Sequence, residues 1–72
     1  MNRPYMKGTA LSKAREAAGL TLRQVTAATG VPHTRLWEYE RGLSDPLVST
    51  AIRIARFYGQ SVEELFRDFL SR

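Results

Sequence analysis

The sequence predicts an all-α fold, a compact bundle of five short helices. Three observations predict it. Glycines punctuate the chain at Gly19, Gly30, Gly42 and Gly59, with Pro46 following the third. Between these marks, apolar residues recur at steps of three and four, the spacing of one helix face. No stretch keeps the strict alternation of a half-buried strand.

The first segment runs from Thr9 to Ala18. It is rich in alanine, the best helix former, and Leu11, Ala14 and Ala18 mark one face. Gly19 is a natural C-terminal stop. The second segment runs from Leu22 to Thr29, with Thr21 placed to accept from a first-turn N–H. The third starts around Pro32, where a missing N–H costs nothing, and ends at Gly42. The fourth opens near Pro46 and runs to Tyr58. Its face carries Val48, Ala51, Ala55 and Tyr58, with Ile54 beside them. The fifth is headed by Ser61 with Glu64 three residues on, a capping-box pattern. Val62, Leu65, Phe66 and Phe69 follow at helical spacing. None of these helices is stable alone, so their apolar faces must pack together. Residues 1–8 read as a flexible basic N-terminal arm and residues 9–72 as a single domain.

Composition excludes several classes of function. At 72 residues the chain has room for one domain. A domain this small buries only about 60% of its unfolded surface, which leaves little space for a deep catalytic pocket. With no cysteine there is no disulfide, no thiolate metal site and no cysteine nucleophile. One histidine cannot build a multi-histidine metal site. There is no nucleophile–base pair and no phosphate-cradling glycine loop, so neither an enzyme nor a cofactor is expected. No apolar run approaches the roughly 20 residues that span a bilayer. The first residues lack a signal peptide's apolar stretch, so the expected location is the cytoplasm.

The net charge of +4 is unevenly spread. Residues 1–30 carry Arg3, Lys7, Lys13, Arg15 and Arg23 against Glu16 alone, and the rest of the chain balances. A polyanion would meet the first half more readily than the tail.

The most informative stretch is residues 20–42, LTLRQVTAATGVPHTRLWEYERG. Two short helices flank a turn containing Gly30, and Val25, Val31 and Leu36 can pin them together. That is a helix-turn-helix, whose second helix enters the DNA major groove. Here the chain resembles the XRE-like helix-turn-helix domains, the group of the Cro and lambda-type phage repressors. The matching residues begin with Leu11, Arg15, Gly19-Leu20-Thr21, Val25 and Gly30-Val31. Leu36, Tyr39, Glu40-Arg41-Gly42, Pro46, Ile54-Ala55 and Gly59 follow, then Ser61-Val62 and Glu64-Leu65-Phe66. Each residue is common, but their order and spacing over residues 9–66 are specific.

The resemblance implies a lambda-repressor-like five-helix bundle with the third helix as recognition helix. It implies a sequence-specific DNA-binding transcriptional regulator, of repressor type, that binds two-fold operator DNA as a dimer. It pairs Arg15 with Glu40 as a structural ion pair between the first and third helices. It also assigns base reading to His33, Thr34 and Glu38.

Helical geometry selects a similar face. With Leu36 pointing inward, Glu40 lies close to the same direction and Tyr39 on its flank. Thr34, Glu38 and Arg41 then point outward, with Arg35 and Trp37 at the shoulders as further candidates for base contact. Glu38 can accept from a cytosine amino group, Thr34 can touch a thymine methyl, and His33 can donate to guanine or to a phosphate. Arg23 and Arg41, with Arg3 and Lys7 from the arm, are the candidate phosphate contacts, which set register without reading sequence.

Three departures from the family pattern each remove a grip on the DNA backbone. Leu22 stands where the family usually has Gln, Pro32 where it often has Ser or Thr, and Leu43-Ser44-Asp45 where the loop often carries a cation. Residues 32–41 are net neutral. Few phosphate contacts mean a shallow salt dependence, which the arm would offset. Thr26 replaces a small alanine, and its hydroxyl is expected to bond back along the helix.

Other residues admit two readings. Trp37 is a DNA contact, an anchor for a protein partner, or a side chain folded against Arg41. Phe57, Phe69 and Leu70 either close the core or, for Phe69 and Leu70, form a two-fold dimer contact. Arg53 and Arg56 read first as a solvated face. The alternative function is a protein-binding module reusing the same fold, since fold does not fix function.

Overall fold

The computed structural model describes residues 6–71. Within them are helices α1 (Ala10–Ala17), α2 (Leu22–Thr29), α3 (His33–Glu40), α4 (Val48–Tyr58) and α5 (Val62–Leu65), then a 3-10 turn, Arg67–Leu70. No strand occurs among the described residues.

The helix starts follow the side chains available to satisfy first-turn N–H groups. The Thr9 hydroxyl accepts from the Ser12 N–H, and the Ser61 hydroxyl from the Glu64 N–H. At α2, Thr21 and Gln24 form a full capping box: the Gln24 N–H donates to the Thr21 hydroxyl, and the Thr21 N–H to Gln24 Oε1. At Ser61 the box is only half made. The Glu64 carboxylate accepts from the Ser61 hydroxyl rather than from the Ser61 backbone N–H. Helix α3 has no side-chain cap. Pro32 is extended at ψ 142°, so it precedes the helix rather than opening it, and its carbonyl accepts the Leu36 N–H. Likewise α4 begins at Val48, not near Pro46, because Leu47 is extended and its carbonyl accepts from Ala51.

The fifth segment departs furthest from its periodicity. Helix α5 stops at Leu65 because Phe66 leaves the helical region at φ −112°, ψ 23°. The 3-10 turn then brings the Phe69 ring edge-on to Phe66 at 5.5 Å. It also places Asp68 against the start of α1, where Oδ2 accepts the Ala10 N–H at 2.7 Å. The tail thus caps the first helix from 58 residues away.

Leu11, Val25, Val31, Leu36, Ile54 and Leu65 form the centre of the core. Val25 of α2, Val31 of the turn and Leu36 of α3 share this core, and α2 and α3 pack directly on each other. Thr29 ties the same corner: its hydroxyl donates to the Val25 carbonyl and accepts from the Val31 N–H. Phe69 packs partly buried against this core, whereas Leu70 is 81% exposed. Thr26 corrects an expectation. Its hydroxyl is buried and bonds to nothing, unlike that of Thr29 on the same helix.

Candidate nucleic-acid interface

Helix α3 divides into two faces. Leu36, Tyr39 and Glu40 are buried. Thr34 and Arg35 are exposed, and His33, Trp37 and Glu38 are half-buried at the surface. Leu22, at the start of α2, shares a shallow hollow with His33, Thr34, Trp37 and Glu38. The residue that departs from the family pattern thus supplies an apolar wall to this face.

The inner face is anchored electrostatically. Arg15 Nε donates to Glu40 Oε2 at 2.7 Å, and Nη2 donates to Oε1 at 3.0 Å. Arg15 also donates to the Leu20 carbonyl through Nη1. The hydrogen bond to Glu40 holds the guanidinium pKa above its ordinary value, outweighing burial. From the other side, the Thr9 hydroxyl donates to the Glu40 carbonyl at 3.0 Å. Two side chains of the α1 region therefore grip the last residue of α3, by its carboxylate and by its backbone. In the sequence Thr9 stands only as the first residue of the α1 segment, and nothing local points to this bond with a residue 31 positions on.

On the outer face, Glu38 is not loose. Arg35 Nη1 and the Ser44 hydroxyl both donate to Glu38 Oε1, at 3.2 and 3.3 Å. Trp37 lies under Arg41, whose guanidinium carbon is 5.8 Å from the ring centroid. Lys7, Glu16, Trp37 and Arg41 line a second hollow. The Met6 N–H donates to the Arg41 carbonyl, which seats the described part of the N-terminal segment against the end of α3. Arg3 lies outside the described residues. Arg23 is exposed in the first turn of α2, and Arg53 and Arg56 are exposed on α4.

A family model described as Helix-turn-helix matches residues 11–65. The chain belongs to the XRE-like helix-turn-helix family. That match runs from the first turn of α1 to the end of α5 and marks the domain as a DNA-binding regulatory module. Searches of curated proteins and of solved structures gave no match. Among the described residues, no helix is long and apolar enough to cross a membrane.

Proposed function

We propose that the chain is a sequence-specific regulator of repressor type that inserts α3 into the major groove of a two-fold operator, as a dimer. One observation carries this reading. The buried Leu36, Tyr39 and Glu40 fix α3 so that His33, Thr34, Arg35, Trp37 and Glu38 form a continuous accessible surface. In such a docking the N-terminal part of the helix meets base edges. Arg23, Arg41 and the Lys7 segment flank that surface as phosphate contacts, and Arg3 would extend them. The two-fold contact is assigned to the C-terminal face. Val48, Ile52 and Leu70 are exposed there around a hollow backed by Phe66 and Phe69.

Selection of sites from a random duplex pool tests the reading. The expected product is a pair of half-sites about 34 Å apart, one helical turn. Glu38→Ala should change the preference at one position, whereas Arg23→Ala should weaken all sequences alike and reduce the salt slope by about one. Deleting residues 1–7 should weaken binding several-fold. If wild-type protein binds no duplex even at low salt, the reading fails and a protein-binding module centred on Trp37 takes its place.

A further inference from the structure

We infer that Ser44 is a positioning residue for base recognition, holding the Glu38 carboxylate with Arg35 so that it reads one base carrying an exocyclic amino group. This rests on the assignment of Glu38 to base reading. The backbone explains why Ser44 reaches Glu38. Gly42 takes a left-handed conformation at φ 70°, its N–H donates to the Tyr39 carbonyl, and the Leu43 N–H donates to the Glu38 carbonyl at 2.9 Å. This is a Schellman closure, which folds the following residues back along the last turn of the helix. Ser44 thereby comes to lie beside a side chain six residues earlier.

Ser44 occupies the loop in which the family often carries a cation for the DNA backbone. Its hydroxyl instead grips Glu38. Ser44 and Arg35 both bond to Oε1, which leaves Oε2 as the oxygen to accept from a base. The arrangement solves two problems for an acid near DNA. A free glutamate would swing away from the phosphates, and ordering its side chain on binding costs conformational entropy. Fixing it in advance removes part of that cost. The Arg35 guanidinium also offsets the carboxylate's repulsion from the backbone. A fixed carboxylate accepts from the cytosine amino group in the major groove.

The test is the base-preference profile of wild type, Glu38→Ala, Ser44→Ala and Ser44→Thr, with a melting curve for each. Ser44→Ala is expected to weaken preference at the same position as Glu38→Ala, by about three- to ten-fold, the scale of one hydrogen bond. Its salt slope should match wild type, and Ser44→Thr should restore the preference. A wild-type profile for Ser44→Ala, with the position lost in Glu38→Ala, overturns the inference alone. An unchanged profile in Glu38→Ala overturns the assignment of Glu38 and the inference with it. A uniform loss of affinity in Ser44→Ala, with a lowered melting point, makes Ser44 a structural residue and also overturns it.

Discussion

Arg15 and Glu40 form a two-bond ion pair in which the acid is far more deeply buried than the base. The Glu40 side chain is 2% exposed and that of Arg15 18%. The pair joins α1 to the end of the helix that carries the proposed DNA-reading surface.

That asymmetry predicts unequal costs. Arg15→Met strands a buried carboxylate and should cost about 3–5 kcal/mol. Glu40→Gln leaves a guanidinium that still reaches water and the Leu20 carbonyl, so it should cost clearly less. The double change Arg15→Met with Glu40→Leu should recover much of the loss, since no charge is left uncompensated. Urea unfolding of the three variants decides it, and equal costs for the two single changes would contradict the asymmetry.

Thr26 predicts a stabilising substitution. Its hydroxyl is desolvated without a partner. Thr26→Val keeps the shape and removes the polar atom, so it should add about 1 kcal/mol. For a domain of this size that is a rise of roughly 4–8 °C in melting temperature. An unchanged or lowered melting temperature would mean that the hydroxyl has a partner in solution.

Asp68 predicts that the tail stabilises the head of the molecule. Its carboxylate accepts from the Ala10 N–H, a free donor in the first turn of α1. Asp68→Ala should cost about 1 kcal/mol, the usual loss of a helix cap. Asp68→Asn should cost less, because an amide oxygen can still accept. Hydrogen exchange gives the sharper readout: the amide of Ala10 should lose protection selectively in Asp68→Ala, and even loss across all helices would argue against a local cap.

Tyr58 predicts alkaline sensitivity. Burial pushes its phenol from 10.0 up to about 12, Glu40 pushes the same way, and Arg15 opposes. The fold disfavours the phenolate, whereas the unfolded chain ionises freely. This contribution is therefore complete below about pH 10 and is lost as the pH rises towards 12. Tyr58→Phe should flatten that part of the stability curve, as followed by unfolding at successive pH values. Parallel curves for the two proteins would assign the alkaline loss to other groups.

The order of the helices and most of their ends are legible in the order of the residues alone. Thr21, Ser61, Gly19, Gly30 and Gly59 act through neighbours three to five residues away, and such local chemistry is written in the spacing. The pattern of Val25, Val31 and Leu36 likewise showed that α2 and α3 pack as a pair. The family resemblance rested on this same framework, and the match over residues 11–65 agrees with it. The remaining contacts emerge with the packing of the helices. Asp68 on Ala10, Thr9 on the Glu40 carbonyl and the orphaned Thr26 hydroxyl all depend on which surfaces meet after the chain has folded. The same is true of the abrupt end of α5, where Phe66 and Phe69 turn inward to close a small core instead of continuing a helix. Helical periodicity states which residues share a face. It does not state what that face will touch, because polar partners are chosen by distance in space, and distance across a bundle is set by the packing of all the helices at once.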